Sequence, residues 1–532
     1  MDTIFYNGCI STLDSKDSFV EAIGIKDGTI QFIGTTQEAL KLNCDKKINL
    51  HKKLMLPGFV DSHLHMINYA FVENSVKLFD CKSVEDAIIL AKKRLIESNS
   101  TIMSGLYCRG WNEDSFTVPR YPTKEELDLI STDIPIIMVR VCGHIAVCNT
   151  CGLEKLGKIK EFDLIKNDVD FTTGLIRENA VQFFYSALEK PTLSQVEQYI
   201  ELSMKDLNKK GITGIQSDDF TSLPGKDRNL ILSAYNSLNE KKKMTVRVYE
   251  QCLFEKFDDL KEFINLGYRT GQGDDFFTLG PVKLLQDGSL GAKTAALSDD
   301  YEGCVGNKGM VIFNNEELNQ IFKLCHENNM QLAIHCIGDR SMDMVINALE
   351  ACMSNEEIAE GRHGIVHAQI TNKKILKRMS ENKIIAYIQP VFIGYDMDIV
   401  ESRIGKHRMD KVYAWNSMIN MGIPVAGGSD APVESFDIMK NIYFAVTRKK
   451  INGFPESGWL SQEKLTVNEA IKLFTKYPAY ASFTENTNGT IELSKRADLV
   501  VLDRNIYHIP CDEIKDVEIS YTIIDGKIVY QA

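Results

Sequence analysis

The stretch MLPGFVDSHLHM, residues 55–66, is an apolar run that ends in two histidines separated by one residue. Side chains two apart on a strand face the same way, so His63 and His65 can point at a single place. Seven more short apolar runs of β type follow: GITGIQSDD (211–219), MTVRVYE (244–250), LGPVKLLQDG (279–288), QLAIHC (331–336), GIVHAQ (364–369), KIIAYIQP (383–390) and IPVAGGSD (423–430). Helical stretches such as NEELNQIFKLCHENN (315–329) and SMDMVINALEACM (341–353) sit between them, with apolar residues three and four apart. Eight strand-and-helix units predict an α/β fold, a closed (β/α)8 TIM-type barrel whose chemistry gathers at the C-terminal ends of its strands.

Outward from this core, the two chain ends resemble each other. EAIGIKDGTIQFIG (21–34) and YTIIDGKIVY (521–530) each join two β runs through Asp-Gly, a pair that tolerates the positive φ of tight hairpins, and ADLVVLD (497–503) adds another strand. Lone hairpins are marginal, so both ends are expected to build one small β-sandwich from residues 1–54 plus 485–532, leaving 55–484 for the barrel. From about 70 to 205 the strand rhythm breaks into long irregular and helical stretches, including CRGWNED (108–114) and VCGHIAVCNTCGLEKLG (141–157). This segment reads as a functional insertion after strand one, placed over the barrel mouth.

The 532 residues carry 61 Lys+Arg against 73 Asp+Glu, a net charge of −12, which argues against nucleic acid or an anionic membrane as the partner. With 44% hydrophobic and 25% charged residues, the chain can bury a large core. The N-terminal residues lack a basic segment followed by an apolar one, and no uncharged apolar run approaches the roughly 18 residues of a membrane span. Of thirteen cysteines, an odd number with CNTC (148–151) the nearest approach to a paired motif, most read as small buried apolar groups of a cytoplasmic protein. A small-molecule substrate is the expected partner, and a homodimer is the base-rate expectation for assembly.

Only ten histidines occur, and His63, His65, His335 and His367 all fall at or near strand ends, as does Asp430. A single such histidine is more often a hydrogen-bonded structural residue. Five together, from strands one, five, six and eight, converge on the barrel axis in an arrangement suited to Zn2+ or a similar divalent ion. Lys283 lies on strand four between them. An ammonium beside cationic metals would be repelled, so a role there needs a neutral amine or an anionic carbamate, whereas the bland alternative is a lysine reaching solvent. Trp111 is either a substrate-facing lid or a packing anchor, and His144 either an oxyanion donor or a packed residue. Asp287 and Ser289, in the Gly-rich loop after Lys283, are candidates for substrate contact, although ordinary turn chemistry explains Asp287-Gly288 equally well.

PGFVDSHLH, the strand-four lysine, the two later histidines and GGSDAPV together resemble the amidohydrolase superfamily of metal-dependent hydrolases over nearly the whole chain. VKLLQDGSLGAKTAAL, HCIGDRS, the insertion with GWN and CGHIAVCN, and the tail NGTIELSKRADLVVLD resemble more narrowly its YtcJ-like branch, which includes N-substituted formamide deformylase-like enzymes. HCIGD stands where the branch tends to have HAIGD, and GHIAVCNT where it has GHxxxxNS; neither touches a candidate ligand. The resemblance implies that His63, His65 and Asp430 hold one metal, His335 and His367 a second, and a carbamylated Lys283 bridges them. The ions would be two Zn2+, with Fe2+ or Mn2+ as alternatives. It further implies hydrolysis of a non-peptide amide by attack of a metal-bound hydroxide, with Asp430 as the catalytic proton carrier. The alternatives are an ester or phosphoester hydrolase, a deaminase on the same barrel, or a non-catalytic scaffold or regulatory protein. Against a deaminase, HCIGDRS offers no glutamate beside the strand-five histidine.

Overall fold

The computed structural model describes residues 1–73, 75–97, 105–178, 180–181, 183–184, 188 and 190–532. Contacts divide the chain into two compact units, Met1–His65 with Met204–Asp218 and Lys243–Ala532, and Met66–Ser203 with Asp219–Lys242.

The first unit contains the TIM-type barrel. Its eight strands are Phe59–Leu64, Ile212–Ser217, Arg247–Leu253, Phe277–Leu285, Leu332–Cys336, Gly364–His367, Ile385–Ile388 and Val425–Gly427, paired in chain order and all parallel. Strands two, three, six, seven and eight are buried at every residue, because both faces of a parallel sheet are covered and no polar alternation survives. Strand eight returns to strand one through Asp430 N–H donating to the His63 carbonyl at 2.7 Å and His65 N–H donating to that of Ala431 at 2.8 Å. The Asp61 carboxylate reinforces this seam by accepting from Ser429 N–H at 3.0 Å. The helix Asn315–Glu327 begins with a reciprocal cap between Asn314 and Glu317 and buries Leu318, Ile321, Phe322 and Cys325 along one stripe.

Both chain ends form the β-sandwich. One sheet orders Thr29–Gly34, Ala22–Lys26, Thr3–Tyr6 and Lys46–Asn49; the other orders Lys527–Gln531, Ile519–Ile524, Leu499–Leu502, Leu54–Pro57, Cys9–Ser11 and Phe19–Val20. Phe5, Ile23 and Ile30 of the first pack with Met55, Leu499, Val501 and Ile523 of the second. Asp27-Gly28 and Asp525-Gly526 all take positive φ at the two hairpin turns. The run 55–63 is therefore two strands: Leu54–Pro57 pairs with Leu499–Leu502 in the sandwich, and Phe59–Leu64 opens the barrel. Gly58 makes the crossing, since a Cβ there would lie 2.2 Å from the Thr213 hydroxyl.

The second unit is more regular than the irregular and helical reading of residues 70–205. It holds a mixed sheet in which Val76–Lys77, Leu106–Trp111 and Ile136–Arg140 run parallel and Ile145–Cys148 and Leu175–Arg177 pair antiparallel. Leu106, Cys108, Trp111, Ile136 and Met138 build one apolar cluster, and Tyr107, Ile137, Val139, Ala146 and Cys148 another. With both faces buried, the alternation that would have announced these strands is missing. Among the described residues no helix is long and apolar enough to cross a membrane.

Candidate metal centre

Every barrel strand delivers a polar side chain to the same end. His63 Nδ1 lies 2.8 Å from Gln251 Oε1 on strand three, and the Gln251 amide N–H2 donates to the Ser62 carbonyl. With its nitrogen so committed, Gln251 can only accept from the ring, so His63 carries its proton on Nδ1 and turns an Nε2 lone pair inward. Strand seven repeats the device, with His367 Nδ1 2.8 Å from Gln389 Oε1 and Gln389 N–H2 donating to the Tyr387 carbonyl. His65 Nδ1 donates to the Asp218 carbonyl at 2.9 Å, which again leaves Nε2 facing inward. His335 is turned the other way: Nε2 lies 3.3 Å from the Gly288 carbonyl, leaving Nδ1 as its lone-pair nitrogen.

Asp430 Oδ1 is 3.0 Å from His65 Nε2 and 3.4 Å from His63 Nε2. Ligand atoms of His63, His367 and Asp430 lie within 4.8 Å of one another, the spacing of groups that share an ion. The rings of His335 and His367 meet edge to face at 4.4 Å. Lys283, 1% exposed, has Nζ 3.2 Å from Asp218 Oδ2 and 3.4 Å from His63 Nε2. His367 and Asp430 hold φ of 79° and 61°, left-handed values that a non-glycine residue adopts at a cost of about 1–3 kcal/mol and that cluster at functional sites.

The electrostatics favour a cation among these donors. Burial lowers His63, His335 and His367, the last to about 3, so all three imidazoles are neutral ligands at neutral pH. Burial alone would also lower His65, but the hydrogen bond to Asp430 and the field of Asp218 overcome it and hold the ring at about 9. The same bond, with the fields of His63 and His367, outweighs desolvation at Asp430 and keeps its carboxyl well below the usual range. Three neutral imidazoles beside an ionised carboxylate, each ring fixed by a partner on its far nitrogen, are a donor set that fits a divalent ion, and such an ion would displace the proton that Asp430 holds on His65.

His63, His65, Lys283, His335, His367 and Asp430 are thus gathered in one place. Asp287 lies beside them, but its buried carboxylate accepts from Ile337, Gly338 and Ala296 N–H and from the Ser341 hydroxyl, with His335 Nε2 at 3.4 Å. It braces the loops after strands four and five and has little left for a substrate. Ser289 is exposed at the rim of a recess lined by Ile337 and Phe392. Trp111 and His144 belong to the second unit. Trp111 is fully buried in that unit's own core and donates its indole N–H to the Met138 carbonyl, the packing-anchor alternative; His144 is exposed and sits 3.1 Å from Glu178. Sequence reading passed over Asp61, Asp218, Gln251 and Gln389. Their one signal is position, each at or near the C-terminal half of a barrel strand already carrying or flanking a candidate ligand.

The comparisons with known proteins agree with this geometry. A family profile described as "Amidohydrolase family" matches residues 46–530. The chain is 30% identical to YtcJ of Bacillus subtilis (strain 168), which carries an amidohydrolase name, over 100% of both chains. It is 24% identical to the N-substituted formamide deformylase of Arthrobacter pascens, covering 100% of this chain and 98% of the relative. Among solved structures, an uncharacterized metal-dependent hydrolase from Pyrococcus furiosus superposes with a TM-score of 0.81 at 25% identity, covering 94% of this chain and 99% of that one.

Proposed function

The chain belongs to the amidohydrolase family of metal-dependent hydrolases, and from that premise we propose that it cleaves a non-peptide C–N bond, the amide of a small molecule. The observation that carries the reading is the inward convergence of the His63, His65 and His367 Nε2 atoms on ionised Asp430, with buried Lys283 between the histidine groups. A deformylase of N-substituted formamides among the full-length relatives favours the amide over other bonds.

In this reading His63, His65 and Asp430 would hold one divalent ion and His335 and His367 a second, Zn2+ in preference to Fe2+ or Mn2+, and Lys283 as a carbamate would add an anionic donor. Divalent ions bound there would acidify water and polarise the scissile carbonyl. The chain's own work is positioning and proton transfer. Asp430 directs Oδ1 at the two histidines, which leaves Oδ2 to accept the proton of the attacking water and return it to the departing nitrogen. Gln251, Gln389 and the Asp218 carbonyl keep the three imidazoles from turning. The partner is a small-molecule substrate rather than nucleic acid or a membrane. Thirteen cysteines without a disulfide support a cytoplasmic setting.

The test is a panel of matched N-substituted formamides, longer-chain amides and esters, offered to gently purified protein whose metal content is measured by elemental analysis. Two equivalents of metal and release of amine are expected, with Asp430→Asn slower by about 10²–10⁴-fold. Release of alcohol from the esters with no amine from any amide would overturn the amide reading, and protein that refuses added Zn2+ would overturn the metal assignment.

A further inference from the structure

Beside the histidines the first unit has a recess of about 130 Å3, lined by Ile337, Gln369, Phe392, Tyr395, Asp396 and Glu434 among others. It adjoins the centre directly, since the Phe392 ring stacks on that of His367 at 6.0 Å and 14°. Gln369 is only 4% exposed, and among the described residues its side-chain amide has no hydrogen-bond partner, its backbone carbonyl accepting from Tyr413 N–H. A side-chain amide that reaches the recess with no protein partner offers its donor and acceptor to a polar group entering there. Two half-buried carboxylates share the same walls. Asp396 takes the Tyr413 hydroxyl on Oδ2 at 2.6 Å, which leaves Oδ1 open, and neither Asp396 nor Glu434 has an ion-pair partner among the described residues. No lysine or arginine lines the recess.

Burial raises both carboxyls, Asp396 to about 6, and the charge of Asp396 adds to the rise at Glu434. Two acids without an ion-pair partner, one of whose charge bears on the other, favour a cation between them. The aromatic walls supply faces over which an ammonium is attracted. In size, a cavity near 150 Å3 accepts a six-membered ring, so this recess holds about six non-hydrogen atoms.

We propose that this recess is the subsite for a cationic arm of the substrate, a primary alkylammonium group bound by Asp396 and Glu434, oriented by the Gln369 amide and walled by Phe392 and Tyr395. The inference rests on the amide-hydrolase reading for its place in the reaction, but not for the binding itself. It predicts that the preferred amides carry a protonated amine several methylenes from the scissile bond.

The experiment titrates n-pentylammonium chloride and 1-pentanol, equal in size and different in charge, into the metal-loaded protein by calorimetry. The ammonium is expected to bind at least tenfold more tightly, with Glu434→Gln and Asp396→Asn each removing most of that preference and leaving 1-pentanol unchanged. Equal binding of the two probes would overturn the subsite. So would tight ammonium binding that ignores both substitutions, because it would assign the amine to a metal. Matched amides with 5-aminopentyl and pentyl groups then compare kcat/KM. Ammonium binding that depends on Glu434, with no amine released from any amide, supports the subsite and refutes the proposed reaction. Amide turnover indifferent to the charged arm refutes the subsite and leaves the reaction standing.

Discussion

Two glutamines, rather than the histidines themselves, decide which ring nitrogen of His63 and His367 faces the barrel axis. Gln251→Leu and Gln389→Leu keep the volume but remove the acceptor, so each is expected to weaken metal binding by about 10–100-fold while the barrel stays folded. Metal titration read beside far-UV circular dichroism checks both parts, and unchanged affinity in either variant would refute the role given to that glutamine. A second residue-scale effect concerns His363, away from the centre. Its Nδ1 accepts the Leu332 N–H at 3.0 Å, and burial, with a small contribution from His326, pushes the ring down to about 4. Between about 6.5 and 4 the unfolded chain binds a proton that the folded one refuses. The stabilisation is therefore complete above 6.5 and is lost as pH falls toward 4, amounting to about 2 kcal/mol at pH 5. Urea unfolding of chelated protein at pH 7 and pH 5 should show His363→Gln losing less stability on acidification by about that amount. The convergence of the candidate histidines was legible because imidazole is rare and sits at strand ends. The glutamines were not, because a glutamine side chain announces no chemistry until its partners are known.

At the scale of elements, the barrel closes where strand eight meets strand one, and that seam also sets the site. Gly428 packs so near strand one that a Cβ would lie 2.6 Å from His63 N and 3.0 Å from its carbonyl oxygen. Gly428→Ala must therefore push strand eight outward and carry Asp430 away from His63 and His65. A metal affinity at least tenfold weaker, with a modest loss of thermal stability, is expected, and wild-type affinity would show that the seam has slack. A second junction ties barrel strand three to the sandwich. Arg247 holds Asp498 through Nε at 2.6 Å and Nη2 at 3.1 Å, pairs with Asp525, and donates to the Asp275 carbonyl at 2.9 Å. Asp498→Asn removes one of the two carboxylates that face buried Arg247 while Asp525 stays, and is expected to cost about 1.5–3 kcal/mol by denaturant titration. The eight barrel strands were legible because each falls in a short apolar run, and several are followed by a helix with a clear apolar stripe. The second unit's sheet was not, because Leu106–Trp111 and Ile136–Arg140 bury both faces and follow no crossover rhythm. The sandwich was legible through its two Asp-Gly hairpins, whereas the crossing at Gly58 was hidden inside one continuous apolar run.

For the whole molecule, the six candidate ligands come from barrel strands one, four, five, six and eight, spanning residues 63 to 430, and all belong to the first unit. An ion that binds the folded barrel and not the unfolded chain stabilises it by mass action, about 2.7 kcal/mol at one hundred times its dissociation constant. That stabilisation is felt where the ligands are anchored. Hydrogen exchange of chelated against Zn2+-loaded protein should therefore slow in Phe59–Leu64, Leu332–Cys336, Gly364–His367 and the segment around Asp430. Leu106–Trp111 and Ile136–Arg140 of the second unit contribute no candidate ligand and have their own apolar clusters, so their exchange should not change. Protection rising equally in both units would mean that they unfold as one cooperative body, and the contact division would then carry no energetic meaning. Protection confined to Gly364–His367 would mean a single ion held without strands one and eight, and would remove Asp430 from the metal and with it the proton path assigned to its Oδ2.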